Sequence, residues 1–159
     1  AAGRCFADVS TGTAIISELK REKIAPAVIA ELCRYHPSEV LMNPGLLDCR
    51  EITAYIKKNM NCAVELVEEE RYAPGLVAIS LENQFGRDWA AKTGIAEAGL
   101  VRLAMAALLE YLHDTQIIGG ERLKTAITYN EAQQRCGAPE DRHQLQRSPV
   151  YAAFACDAR

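Results

Sequence analysis

Residues Ile95 to Gln116 decide the predicted fold, and they read IAEAGLVRLAMAALLEYLHDTQ. Apolar side chains recur in this run at steps of three and four residues, which puts them on one stripe of an α-helix. The stripe consists of Leu100, Leu103, Ala104, Ala107, Leu108, Tyr111 and Leu112. Alanine and leucine are also strong helix formers. We therefore predict a long amphipathic helix, and the rest of the chain has to supply the surface on which it packs.

Length and composition predict one ordinary globular domain. The chain has 159 residues, of which 49% are hydrophobic and 25% charged, as in average soluble domains. No apolar run approaches the roughly 18 to 20 residues that span a bilayer, so we expect no membrane contact. The net charge of −3 argues against a nonspecific nucleic-acid surface on this chain. Because the chain begins Ala1-Ala2-Gly3-Arg4 without Met, we expect a piece of a longer protein.

Six cysteines are scattered along the chain. They are Cys5, Cys33, Cys49, Cys62, Cys136 and Cys156. None forms a Cys-x-x-Cys pair or has a histidine at metal-ligand spacing. Disulfides remain an alternative for an even count. The placement beside apolar residues favours small reduced side chains in a reducing cytosol, and hence a cytoplasmic protein.

The chain opens with a predicted hairpin followed by alternating helices and strands. Residues 4–9 and 13–19 read as strands around the turn Ser10-Thr11-Gly12, where Gly12 is free to adopt a positive φ. A helix begins near Pro26 and ends at His36-Pro37, because a residue before proline disfavours helical angles. Strands over residues 39–42 and 62–67 flank a helix that runs from Asn43-Pro44 to about residue 59. This alternation predicts parallel pairing by right-handed crossovers, and with the hairpin it gives an α/β fold with a mixed sheet.

The second half of the chain is less regular. Residues 68–71 form an exposed run of charges, and Pro74-Gly75 predicts a loop. Residues 81–92 predict a short helix that buries Phe85 and Trp89, and residues 126–129 predict an extended segment after the long helix. From residue 134 onward glycines, prolines and scattered polar residues predict disorder or irregular packing, with only residues 150–154 apolar.

Candidate chemistry is sparse in this sequence. It has no phosphate-binding Gly-x-x-x-x-Gly-Lys-Ser/Thr loop, no Gly-x-Ser-x-Gly elbow and no His-Glu-x-x-His. Asp8 ends the first strand, where ribonuclease-H-like nucleases place a metal-binding carboxylate. Glu39 and Glu65 lie in neighbouring predicted strands, so a divalent-cation cluster is one hypothesis. The alternative is that Asp8 accepts hydrogen bonds from the Ser10-Thr11-Gly12 turn.

The remaining polar candidates have simpler interpretations. His36 lies at a helix end, where a cation interacts favourably with the helix dipole. His113 lies on the polar side of the long helix, and we expect both histidines to be solvated. Phe85 and Trp89 could stack a base, but their spacing favours the core. We therefore predict no catalytic, cofactor-binding or metal-binding residue.

Three segments together resemble the connector domain, domain II, of bacterial MutS-type DNA mismatch-repair proteins. Asp8-Val9-Ser10-Thr11-Gly12 resembles the family's first-strand signature. Residues 29–34, followed by Pro37-Ser38-Glu39-Val40-Leu41, are similar to its Glu-Leu, Pro-x-Glu-aliphatic-Leu element. Residues 104–116 resemble its closing Ala-x-x-Leu-x-x-Tyr-Leu-x-x-Thr-Gln helix. The family-signature positions are Asp8, Ser10, Thr11, Gly12, Pro37, Glu39, Leu108, Tyr111, Thr115 and Gln116.

The resemblance implies a ribonuclease-H-like α/β fold without nuclease activity, closed by the long helix. It implies a noncatalytic connector between mismatch recognition and ATP-dependent conformational change, with a surface for a MutL-type partner. The parent would bind mismatched DNA and hydrolyse ATP in a bacterial cytoplasm, with ATP and Mg²⁺ held by other domains and no cofactor in this chain. We expect a connector-like domain over residues 1–118, a linker over 119–133, and a divergent or disordered tail over 134–159, where the family's Asn-Leu-Glu-Leu segment is missing.

Two other functions remain open at this point. The first is a metal-dependent ribonuclease-H-like nuclease that uses Asp8 with Glu39 or Glu65. The second is a stand-alone ligand-binding α/β domain, which would carry a polar pocket at the carboxyl ends of its parallel strands.

Overall fold

The computed structural model describes residues 2–8, 12–20, 23–93, 99–115, 125–128 and 150–156. Strands and helices alternate along much of this length, which confirms the predicted α/β class. The strands are β1 (Ala2–Asp8), β2 (Thr13–Leu19), β3 (Glu39–Met42), β4 (Ala63–Leu66), β5 (Thr125–Thr128) and β6 (Val150–Cys156). The α-helices are α1 (Ile24–Tyr35), α2 (Pro44–Leu47), α3 (Arg50–Asn59), α4 (Pro74–Phe85), α5 (Trp89–Thr93) and α6 (Leu100–Asp114).

The predicted hairpin is confirmed. Strands β1 and β2 pair antiparallel, with Asp8 opposite Thr13 at the turn. Gly12 has φ 71°, a left-handed conformation that glycine adopts without a steric penalty. Its N–H donates to the Asp8 carbonyl at 3.0 Å, which closes the turn. Ser10 and Thr11 lie outside the described residues.

The described strands form one mixed sheet in the order β4-β3-β6-β1-β2-β5. Strand β6 lies between β1 and β3, antiparallel to β1 and parallel to β3. The prediction of a disordered or irregular tail over 134–159 is therefore wrong for Val150–Cys156. Both faces of this strand are apolar, and a strand buried on both faces reads as a continuous apolar run without alternation. The rest of that tail lies outside the described residues.

Strand β5 also changes the predicted division of the chain. It lies within the predicted linker over residues 119–133, and it pairs parallel to β2 along Thr13–Ile16. The predicted extended segment is thus confirmed, but it belongs to the sheet. The outer edge of the hairpin is covered along this pairing.

The α1–β3–α3–β4 portion follows the predicted pattern with one interruption. Helix α1 ends at Tyr35, and His36 adopts a left-handed conformation (φ 45°) while its N–H donates to the Leu32 carbonyl at 3.0 Å. Strands β3 and β4 are parallel, as predicted. The single helix predicted from Asn43 to residue 59 is instead two helices, α2 and α3. The chain turns between the two helices, because the backbone N–H groups of Asp48 and Cys49 donate hydrogen bonds to carbonyls of α2.

The segment before α6 also differs from prediction. Pro74-Gly75 begins α4 rather than forming a loop, since proline suits the first helical position, where no intrahelical donor is needed. The predicted helix over 81–92 is divided between α4 and α5, because Gly86, at φ 91°, ends α4. Trp89 is buried, and Phe85 packs against the same core, as predicted.

Helices cover both faces of the sheet and define two cores. On one side, termed the α1 face, α1, α2 and α3 pack over Phe6, Met42 and Phe154. On the other, termed the α6 face, α4, α5 and α6 pack over Cys5, Ala153 and their neighbours. Helix α6 contacts β1 and β6, so the described part of the predicted long helix, Leu100–Asp114, packs on the middle of the sheet. Among the described helices, none has the length and apolar character that a membrane crossing requires.

Candidate functional site

Asp8 is buried at the end of β1. Its exposed fraction is 0%, and its strand partners are Thr13 and Val150. Residues opposite each other in paired strands point to the same face of a sheet. Val150 belongs to the core of the α1 face, so the Asp8 side chain is directed to that face.

Glu39 and Glu65 point to the opposite face. Glu39 pairs with Tyr151, which belongs to the core of the α6 face. Glu65 pairs with Leu41, a residue of the same core. Since successive residues of a strand alternate between faces, the sheet itself separates the Asp8 carboxylate from these two glutamates.

The proposed cation cluster is therefore not formed. A hard divalent cation needs several oxygen ligands that converge on one point. Among the described residues, no three His, Cys, Asp or Glu side chains lie close enough to hold a metal ion. The structure thus does not favour the nuclease hypothesis built on Asp8 with Glu39 or Glu65. The register of the sheet explains why this alternative hypothesis fails, because all three residues lie in strands but not on one face.

Glu39 instead participates in a contact with the long helix. The Tyr111 hydroxyl in α6 donates a hydrogen bond to Glu39 Oε2. Burial raises the pKa of Tyr111, and the hydrogen bond and the negative charges of Glu39 and Glu65 raise it further. Burial and the charge of Glu39 likewise raise the pKa of Tyr151. This arrangement keeps both phenols protonated and fixes α6 to the start of β3.

A buried ion pair that the sequence reasoning missed joins β1 to α1. Arg4 is fully buried, pairs with Glu31, and donates from Nε to Ser17 Oγ. Its guanidinium also lies 5.9 Å from the centre of the Phe6 ring. Two features of the sequence could have indicated this ion pair: an arginine inside an apolar strand, and a glutamate on the apolar stripe of α1. Buried charges are stable only when paired, so we assign this pair a structural role.

The other polar candidates occupy separate positions. His36 and His113 are exposed, as predicted. The Cys5 Sγ lies 3.3 Å from the Met105 Sδ, and burial raises the pKa of the Cys5 thiol, so the reactive thiolate is disfavoured. The five described cysteines do not pair as disulfides.

The described family-signature positions lie in strands and helices or beside their ends. Pro37 is buried between α1 and β3, and Leu108 is fully buried in α6. The Thr115 hydroxyl donates to the Tyr111 carbonyl at 2.7 Å at the end of α6. Gln116 lies outside the described residues, as do Ser10 and Thr11.

The outer surface of α4 and α6 carries a groove of about 310 Å³. It is lined by Ile79, Ser80, Asn83, Gln84, Leu109, Glu110, His113 and Asp114. All of these belong to the two helices, so the groove gives no support to a ligand pocket at the carboxyl ends of the parallel strands.

Apolar and acidic groups lie side by side around this groove. Ile79 is 56% exposed, and Leu76, one turn before it, is 49% exposed. Arg71 reaches across to Asp114 at 3.1 Å and to Glu110 at 4.0 Å. The short 3-10 helix Glu69–Tyr72 thereby joins this surface. We term Arg71, Leu76, Ile79, Glu110, His113 and Asp114 the α4–α6 face.

These observations define the class of protein as an α/β domain with a mixed sheet covered on both faces and an exposed helical surface. A family model described as MutS domain II matches residues 1–118. The chain therefore belongs to the MutS domain II family.

Relatives of known name agree with this assignment. The DNA mismatch repair protein MutS of Caldanaerobacter subterraneus subsp. tengcongensis is 32% identical over 131 residues, which cover 81% of this chain and 14% of that protein. The MutS of Ruminiclostridium cellulolyticum is 27% identical over 127 residues, covering 80% and 14%. The MutS 1 of Haloarcula marismortui is 26% identical over 115 residues, covering 72% and 12%. The chain thus spans about one seventh of the length of the relatives it matches.

Proposed function

We propose that this chain is a noncatalytic connector module of a MutS-type mismatch-repair protein. It links mismatch recognition to an ATP-dependent conformational change and offers a docking surface to a MutL-type partner. The observation that carries the proposal is the MutS domain II match over residues 1–118. In such a parent, which works in the cytoplasm, other domains bind the mismatched DNA, ATP and Mg²⁺, and this chain holds no cofactor.

The structure supports a module that moves as a unit. Helices pack on both faces of its sheet, and the contacts of Tyr111 with Glu39 and of Arg4 with Glu31 join helices to strands. A module of this kind transmits a change only through contacts that differ between two states of the parent. Its exposed surfaces, rather than its interior, therefore carry the coupling.

The α4–α6 face is the docking surface that we propose. Ile79 lines the groove together with Glu110 and Asp114, and Leu76, one turn before Ile79 in α4, also exposes its apolar side chain to solvent. Interfaces combine a buried apolar centre with a polar rim, and this face presents both. A partner with an apolar anchor and basic flanks complements it.

A chimeric protein tests the connector role. The chain replaces the domain II of the Caldanaerobacter MutS, and ATP turnover is measured with perfectly paired and with mismatched DNA. We expect the chimera to show mismatch-dependent ATP turnover and the isolated chain to show none. A chimera that binds mismatched DNA but leaves ATP turnover unchanged would contradict the connector role.

Substitutions in the same chimera test the docking surface. Leu76→Glu with Ile79→Glu should weaken binding of the MutL-type partner about tenfold or more, as loss of an apolar interface centre does. Leu66→Glu is the matched control, because Leu66 is similarly exposed (52%) but lies in β4, on the edge of the sheet. Equal effects of the two variants would exclude the α4–α6 face as the docking surface.

A further inference from the structure

Strand β6 fills a position that the rest of the sheet leaves between β1 and β3. Ala2 to Asp8 pair along its whole length on one side, and Glu39 to Met42 pair with Tyr151 to Phe154 on the other. The family match ends at residue 118, so this central strand comes from outside the matched region. The space between β1 and β3, termed the β1/β3 slot, is thus bordered by residues far from β6 in sequence.

The slot is shaped for an apolar strand whose residues on the α6 side are Tyr151 at the start and alanines after it. Val150, Ala152 and Phe154 enter the core of the α1 face, where the Phe154 ring meets the Phe6 ring edge-on with centres 5.6 Å apart. Ala153 and Ala155 enter the core of the α6 face, and their small size lets α6 lie close over the sheet. Backbone pairing on two sides gives affinity, and the alternating side chains give selectivity.

A long segment of the chain connects β6 to the preceding strand, β5. The chain leaves β5 at Thr128 and enters β6 at Val150, with residues 129–149 between them. Thr125 and Val150 lie in one row across the sheet, through Thr13 and Asp8. Three strand spacings and three residues along the strands separate Thr128 from Val150, a distance of about 17 Å. A connection of 21 residues reaches on the order of 70 Å when extended, so it can also reach another molecule.

The opposite end of β6 lies beside the start of the chain. Cys156 is the strand partner of Ala2, and only residues 157–159 and residue 1 separate these positions through the termini. A loop of four residues is a common hairpin connection. Strand β6 could therefore be joined to β1 directly without a change in any described pairing.

We propose that the β1/β3 slot is a strand-binding site that accepts β6 either from its own chain or from a second copy of the chain. The strand is held by pairing with β1 and β3 and by its side chains, and the connection to β5 only raises its local concentration. Exchange of β6 between two copies buries the same surfaces as closure within one chain, which makes it a low-cost route to a dimer. This inference does not depend on the connector role.

Two variants built from the same residues test the proposal. In the shortened chain, residues 129–147 are deleted, so that Ser148-Pro149 alone join β5 to β6. Its reach of roughly 11 Å is less than the distance required within one molecule. In the permuted chain, residues 148–159 precede residues 1–128, so that β6 leads into β1. Native mass spectrometry and size-exclusion chromatography give the oligomeric state, and circular dichroism reports folding.

We expect a folded dimer for the shortened chain and a folded monomer for the permuted chain.

A disulfide then identifies the exchanged strand: one shortened copy carries Ala2→Cys with Cys156→Ser, and the other keeps Ala2 and Cys156. After co-refolding, oxidation should link the two copies. A folded monomer from the shortened chain would overturn the proposal, because the chain would then fold either without β6 in the slot or by releasing β5 from β2, and not by exchange of β6. An unfolded shortened chain beside a folded permuted chain would overturn exchange between copies. An unfolded permuted chain, or a dimer without the disulfide, would overturn the assignment of β6 to the slot.

Discussion

Gly3 sets how closely α6 approaches the sheet, and its replacement by alanine is the sharpest test of this packing. A Cβ atom at position 3 would lie 2.3 Å from the carbonyl carbon and oxygen of Leu100 and 2.5 Å from the Val101 nitrogen. Ordinary contact begins at 3.4 Å, so the start of α6 has to retreat by about 1.1 Å. The obstacle is backbone, which cannot rotate away as a side chain can. Overpacking of this kind costs about 1–3 kcal/mol in the free energy of unfolding.

Gly75 provides a matched control for this prediction. It lies in the first turn of α4, and a Cβ built there meets nothing within 4 Å. Gly75→Ala should raise the free energy of unfolding by about 0.4–1 kcal/mol, because alanine restricts the unfolded chain. Urea unfolding followed by circular dichroism measures both variants, with the transition midpoint compared at constant slope. If Gly3→Ala unfolds at the same midpoint as the parent chain, α6 does not rest on β1 at this position.

Two further predictions concern the polar contacts between helices and strands. The folded pKa of Tyr111 is raised, so the stability that Tyr111 contributes is fully present below the pKa of an unfolded tyrosine, about 10, and is lost as pH rises through the higher folded value. Tyr111→Phe should therefore reduce the loss of stability at alkaline pH. The same variant should lower the free energy of unfolding by about 0.5–1.5 kcal/mol at neutral pH, because the hydrogen bond is removed. Unfolding measured from pH 8 to 12 checks this, and an unchanged decline would contradict it. Glu31→Leu should lower the free energy of unfolding by about 3–5 kcal/mol, because the Arg4 charge stays buried without this partner. The double variant Glu31→Leu with Arg4→Met should lower it by less than the sum of the two single changes. A double-mutant cycle measures this coupling, and strictly additive losses would show that the two side chains do not interact.

Local signals predicted the elements whose ends are marked by particular residues. Gly12 marks the hairpin turn and His36-Pro37 the end of α1, and both act through backbone angles that sequence reveals directly. The long helix was predictable because its apolar period extends over several turns. The same reasoning missed the start of α4, since Pro74-Gly75 suits both a loop and a first helical turn.

The sequence alone did not predict which strands pair when they are far apart in the chain. Residues 150–156 are apolar at every position, and a short run of this type does not reveal which strands border it. The candidate acidic site failed for the same reason. Asp8 and Glu39 point to opposite faces because β6 separates their strands and shifts Glu39 to the row of Tyr151. Local periodicity predicts each strand, but only the register assigns its side chains to a face.

Strand β4 forms one edge of the described sheet. Among the strands that the structure describes, it pairs only with β3, and its four residues are all exposed, with Val64 and Leu66 among them. Such an edge invites self-association, which natural proteins oppose with short strands and charged side chains. Four residues offer few unpaired backbone groups, and Glu65 places a negative charge on the face of the strand opposite to the two apolar side chains. Two copies joined through β4 would bring their Glu65 carboxylates close together, so this short charged strand opposes self-association through the edge.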